Sequence, residues 1–212
     1  MKASTKRLVT SGMLVALAVV LSFLVITPKF LYGGGVTVFS MVPIAIIAYM
    51  YGTRWGLCCG LVYGVLQGIF GAVGSQAFAG LDPLSTVLMA VLDYLVAFAV
   101  IGFSGIFRGK MKNHTAAAAL GGAFGALLRF VCHFASGVIL WGSYAEWFFT
   151  DVMNNAFGAT VLESFSGTGL AVVYSAVYNG LYMVPEIILT AIGCAAVFGI
   201  PVLRRQILAE QK

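Results

Sequence analysis

The chain has 212 residues, of which 61% are hydrophobic and only 9% charged, and its mean hydropathy is +1.01. So little polar surface excludes a water-soluble globule and predicts one integral membrane domain, 1–212, with room for about six helices of ~20 residues and no separate soluble domain. The net charge of +5 argues for no nucleic-acid partner, because in a membrane chain Lys and Arg mark the cytoplasmic side.

In chain order the apolar runs predict spans at about 8–26, 36–51, 55–71, 84–107, 116–141 and 172–203, the last within a longer apolar run that starts at Leu170. The first is too long in its apolar part, and lacks the small-residue site, for a cleaved signal peptide. A Gly52-Thr53-Arg54 turn separates the second and third spans, and a basic loop at 108–112 precedes the fifth. Pro185 inside the sixth is expected to bend it, since proline removes a backbone N–H and crowds the preceding turn. In this six-span arrangement Lys2, Lys6, Arg7, Arg54, Arg108, Lys110, Lys112, Arg204, Arg205 and Lys212 share one side and Lys29 stands alone on the other. The expectation is an all-α, multi-pass protein of the cell membrane with both termini cytoplasmic. Asn113-His114-Thr115 matches a glycosylation acceptor, but on the inner face, and is read as coincidence.

Cys58, Cys59, Cys132 and Cys194 all fall within apolar spans without a CxxC pair or a nearby histidine cluster, so they read as small buried hydrophobes and no metal site is expected. Gly109-Lys110 lacks the leading glycine of a nucleotide-binding loop. Energy for uphill movement would come from elsewhere.

The informative residues are the ionisable ones inside apolar runs: Asp93, Arg129, His133 and Glu186. An intramembrane charge marks a functional site by default and needs a partner. Arg129, His133, Gly137 and Trp141 are spaced by four and form a stripe on one helix face, running from mid-membrane outward. Arg129 reads as a structural ion-pair partner for Glu186, which lies at comparable depth. Asp93 and Tyr94 reach the same layer from the fourth span, and Tyr174, Tyr178, Asn179 and Tyr182 from the sixth. A network that merely joins helices would contribute only ~1 kcal/mol per contact. An acid beside an indole, by contrast, is what a flat organic cation needs: the acid supplies charge and the indole a cation–π face.

Three segments carry a resemblance: LDYLVAF at 92–98, RFVCHFASG at 129–137 followed by WGSYA at 141–145, and YSAVYNG at 174–180. In this order and membrane context they resemble the signature segments of the thiamine-specific substrate-binding subunit of energy-coupling factor (ECF) transporters. The resemblance extends over nearly all six spans. It implies a six-helix binding subunit, not an enzyme, with no catalytic residue and no cofactor. Thiamine would be captured from outside and released inside with the help of a transmembrane scaffold subunit and two ABC-type ATPases, in a bacterial cell membrane. It further implies that Asp93 contacts the aminopyrimidine and balances the thiazolium, that Trp141 stacks on the ligand, and that His133, Tyr174 and Asn179 make polar contacts. Gly137 would leave space beside the rings and Tyr94 would stand at the pocket edge. Gly12 and Ala16 form a small-xxx-small ridge on the first span and resemble the motif by which such subunits dock on the scaffold; packing within the subunit is the alternative.

The chain departs from the family in its outer loops. Tyr32 precedes three glycines where some members carry a ligand-covering aromatic, and the loop at 72–83 is longer than in some relatives and lacks their Ala-Tyr pair. The Trp147-Phe148-Phe149 cluster reads either as a membrane-surface anchor or as a lid. Glu186 has no ligand role in the family pattern. Other classes would use the same residues differently: a proton-coupled transporter would relay through Asp93, Arg129 and Glu186, and an intramembrane enzyme would pair His133 with Asp93 or Ser136. Within the family reading, a pyrimidine precursor or another vitamin is the alternative ligand.

Overall fold

The computed structural model describes residues 3–26 and 34–211 and is helical almost throughout. Its helices are α1 (Ala3–Ser22), α2 (Val42–Tyr51), α3 (Thr53–Gly74), α4 (Pro83–Phe107), α5 (His114–Leu140), α6 (Ala156–Ser164), α7 (Gly167–Gly199) and α8 (Pro201–Ala209). Short helical turns at Gly142–Tyr144, Ala145–Trp147 and Phe148–Met153 join α5 to α6.

Local chemistry sets the helix ends. Asp82 caps α4 by accepting from the N–H groups of Leu84 (3.0 Å) and Ser85 (3.1 Å), with Pro83 in the first turn. Asn113, the coincidental glycosylation match, caps α5 through the Ala116 N–H. Gly52, at φ +91°, makes the reversal between α2 and α3, a backbone geometry that a side chain would strain. Pro185 is accommodated inside α7, whereas Pro201 starts a separate helix after the extended residue Ile200. The long C-terminal run is therefore a span ending at 199 followed by a short basic helix, not one span to 203.

Five helices, α1, α3, α4, α5 and α7, are long and apolar enough to cross a membrane. The expected second span differs: only its C-terminal part is helical, as the 10-residue α2, and the segment leading into it forms an antiparallel bridge between Val25 and Thr37. Every residue from Val42 to Met50 is buried, as expected of a helix apolar on all sides and enclosed by others. Around it, Met41, Ile44, Ile47, Tyr63, Phe98 and Ile101 form one core cluster, and Tyr49, Met50, Cys194 and Phe198 a second. Close approach is made by glycine: a Cβ on Gly60 would lie 2.5 Å from the Phe98 carbonyl, and one on Gly64 2.5 Å from that of Tyr94. The large side chains left outside, including Leu8, Met13, Val20, Ile188 and Ile192, form the apolar exterior that a bilayer requires.

The first turns of α1 and the residues just after α8 meet at one end of the bundle. Lys6 pairs with Glu210, Tyr51 donates to Glu210 at 3.2 Å, and Arg108 donates to the Gln211 carbonyl at 3.2 Å.

Candidate functional site

Three helices build the site. In α4, residues Ala90–Val96 are wound as a π-type segment, a widening of the helix often found at functional positions. Asp93 sits in it and points to α5, where its Oδ1 lies 2.8 Å from His133 Nδ1 and its Oδ2 accepts from the Ser136 hydroxyl. The carboxylate is thus held at both oxygens, with further lone pairs on each still available. A carboxylate at Nδ1 aims the other ring nitrogen away from α4, and His133 Nε2 is buried without a hydrogen-bond partner among the described residues.

α7 supplies the amide. Asn179 donates to the Ser175 carbonyl (2.9 Å), the Ser175 hydroxyl (3.0 Å) and the His133 carbonyl (3.2 Å), while its Oδ1 accepts from the Tyr182 hydroxyl at 2.6 Å. Ser175 in turn donates to the Phe134 carbonyl at 2.7 Å. The Tyr182 ring meets the His133 ring edge-on at 5.9 Å. Asp93, His133 and Asn179 therefore form one hydrogen-bonded unit across α4, α5 and α7.

An aromatic wall stands above this unit. Trp141 ends α5 and lies 6.0 Å from the Tyr144 ring. Tyr174 is buried between Phe148 (5.3 Å) and Tyr178 (5.6 Å). Phe148 and Phe149 are almost fully buried, so of the two readings of that cluster the membrane-surface anchor is excluded for these rings. They are packed into the aromatic wall with Tyr174 and Tyr182.

Three expectations are placed differently. Gly137 faces α7, where a Cβ would collide with the Ser175 hydroxyl and lie 2.9 Å from Asn179 Nδ2; its small size serves the approach of α5 and α7. Tyr94 points away from Asp93 into a glycine groove on α3, with its ring against Gly68 and Gly71 and 5.4 Å from Phe78. Arg129 and Glu186 do not form an ion pair; those among the described residues are Lys6–Glu210 and Asp93–His133. Arg129 instead stacks 4.3 Å over the Phe98 ring and donates to Met41 Sδ at 3.4 Å, a cation–π arrangement that shelters the charge. Glu186 Oε1 accepts from both the N–H and the hydroxyl of Thr37, each at 2.7 Å. Gly12 and Ala16 lie on the exposed face of α1, and nothing lies within 4 Å of a Cβ on Gly12. Tyr32 lies outside the described residues. Ser136 and Ser175, which complete the network, lie three residues from His133 and four from Asn179, spacings that put them on the same helix faces. No cluster of metal-ligating residues occurs among the described residues.

Long apolar helices around a partly buried acid–imidazole–amide layer define a helical, multi-pass membrane protein. A family model described as thiamine transporter protein (Thia_YuaJ) matches residues 8–205, and the chain belongs to that family, whose members are transport proteins and not enzymes. It is 31% identical over 204 residues to the thiamine transporter ThiT of Bacillus subtilis, covering 91% of this chain and 90% of that protein. It is 29% identical over 140 residues to ThiT of Lacticaseibacillus paracasei, covering 58% and 67%. The solved structure of ThiT from Listeria monocytogenes shares the fold, with a TM-score of 0.67 at 23% identity over 95% of this chain and 98% of that one.

Proposed function

We propose that this protein is the thiamine-binding subunit of an ECF-type vitamin importer, and that it takes thiamine into the layer formed by Asp93, His133, Trp141, Tyr174 and Asn179. The observation that supports the reading is the Asp93 carboxylate, fixed by His133 and Ser136, in a chain whose relatives are named thiamine transporters. Thiamine is a flat cation with a hydrogen-bonding pyrimidine. A carboxylate offers it charge and acceptor, the Trp141 indole a π face, and the free His133 nitrogen a polar contact. Gly137 supports the site by setting the distance between α5 and α7, and Tyr94 by seating α4 on α3. The basic loops and both termini face the cytoplasm of a bacterial cell.

In the import step, the exposed Gly12–Ala16 ridge of α1 docks on the scaffold subunit and two ATPases drive release inside. The test has two stages. Purified protein should quench its Trp fluorescence on binding thiamine, with pyrimidine and thiazole fragments competing weakly; absence of binding by folded protein overturns the ligand assignment. Gly12→Leu and Ala16→Leu should leave binding unchanged but abolish ATP-dependent uptake in vesicles containing scaffold and ATPases. Uptake by the subunit alone under a proton gradient overturns the ECF reading.

A further inference from the structure

Glu186 is an intramembrane carboxyl residue that the proposed site does not use. It is buried to within 1% of full enclosure, immediately follows the helix-interior Pro185, and spends Oε1 on two hydrogen bonds to a residue 149 positions away in sequence. Its other oxygen has no hydrogen-bond partner among the described residues. Burying a carboxylate is costly unless its bonds do something that an apolar side chain could not.

What these bonds hold is the outer segment 34–41, which runs down one face of α7. Gly34 lies against the Tyr182 ring, where a Cβ would approach Cδ1 to 2.7 Å. Thr37 is bound to Glu186, one turn further along. Phe39 then packs against Gly193, where a Cβ would lie 2.8 Å from its ring. Positions 182, 186 and 193 share one face at 3.6 residues per turn. Above the tether, Val36 is buried with Phe148, Tyr174 and Tyr182, and Tyr182 is bonded to Asn179. Phe39 adopts φ +60°, a conformation unfavourable for a bulky residue unless its surroundings enforce it. Ser40 supports Thr37 with a 2.6 Å hydroxyl contact. The segment has a short apolar footing, and its polar anchorage on α7 comes from Glu186 at Thr37 and from Tyr178 at the Gly34 backbone.

We propose that Glu186 is a positioning residue for ligand retention: by accepting both hydrogen bonds of Thr37 it tethers segment 34–41 along α7, over the Tyr174–Tyr182 side of the site. The tether contacts no ligand. Its role in retention rests on the thiamine-binding reading, whereas its role in holding the segment does not.

The test combines stopped-flow thiamine binding with hydrogen exchange of ligand-free protein. Glu186→Ala should speed thiamine dissociation about 10- to 100-fold, the scale of losing hydrogen bonds to a buried charged acceptor, with association changed less than about threefold. Thr37→Val keeps one of the two bonds and should give a smaller increase, about 3- to 10-fold. Glu186→Gln retains an acceptor oxygen and should restore slow dissociation. The double variant Glu186→Ala/Thr37→Val should be no faster than Glu186→Ala alone, because both remove the same contact. Exchange should rise at 34–41 while α5 keeps its protection. Unchanged dissociation in Thr37→Val, additive effects in the double variant, or a Gln variant as fast as Ala each overturns the proposal. If the wild-type protein binds no thiamine, the functional reading falls; the tether then stands or falls on whether exchange at 34–41 rises in Thr37→Val.

Discussion

Replacing Gly137 by alanine adds one methyl group at the contact between α5 and α7. That methyl would overlap the Ser175 hydroxyl and sit 3.0 Å from Ser175 Cβ and 2.9 Å from Asn179 Nδ2. Ser175 cannot yield freely, because its hydroxyl is bonded to the Phe134 carbonyl at 2.7 Å and to Asn179 at 3.0 Å. Overpacking of this kind costs about 1–3 kcal/mol, and disturbing the interhelical Ser175–Phe134 hydrogen bond adds roughly 0.6 kcal/mol. The sum, about 2–4 kcal/mol, corresponds to a fall of ~5–15 °C in midpoint for a chain of this size. Because Asn179 moves with Ser175, thiamine affinity should fall by about tenfold or more. Thermal unfolding followed by Trp fluorescence and equilibrium binding measure the two effects. Ser175→Gly in the Gly137→Ala background should recover most of the stability, as expected for residues that share one contact. A Gly137→Ala protein with wild-type midpoint and affinity, or a double variant whose costs simply add, would refute the reasoning.

Other substitutions separate the parts of the site. Asp93→Asn removes the charge while keeping one acceptor, and should weaken thiamine binding by at least about tenfold, read by Trp quenching. Trp141→Ala should lose a comparable amount for thiamine but little for a neutral pyrimidine fragment, measured by competition. Tyr94→Phe, in its groove on α3, should leave affinity within about twofold, whereas Gly64→Val should destabilise the protein by about 1–3 kcal/mol through the α3–α4 contact. Glu210 is held below the usual carboxylate range chiefly by its hydrogen bond to Lys6. Its contribution is therefore present above the ordinary carboxylate pKa and lost as pH falls through the lowered one, so hydrogen exchange in α8 should rise on acidification below about pH 4. Lys6→Ala should remove that dependence.

The membrane class and the helical fold were legible because a bilayer leaves few choices: long apolar runs must satisfy their backbone groups internally, and only helices do so within one segment. The same physics made Asp93, His133 and Glu186 visible, since charge stands out in an apolar run. What spacing could not give was direction. Asp93 and Tyr94 are adjacent in sequence, but adjacent residues on a helix diverge by about 100°, and the π-type winding of α4 turns one toward α5 and the other toward α3. Equal depth suggested an Arg129–Glu186 pair, yet depth does not fix azimuth; Phe98 and Met41 surround the guanidinium, and Thr37 reaches the carboxylate first.

The sequence by itself determined that this chain is a multi-pass helical membrane protein and which ionisable residues and family segments it carries. Only the tertiary structure decided which of them touch. Contacts between helices depend on how far glycine lets two backbones approach, as at Gly137, and on segments such as 34–41 that have no periodicity of their own and take their path from the helix they lie on.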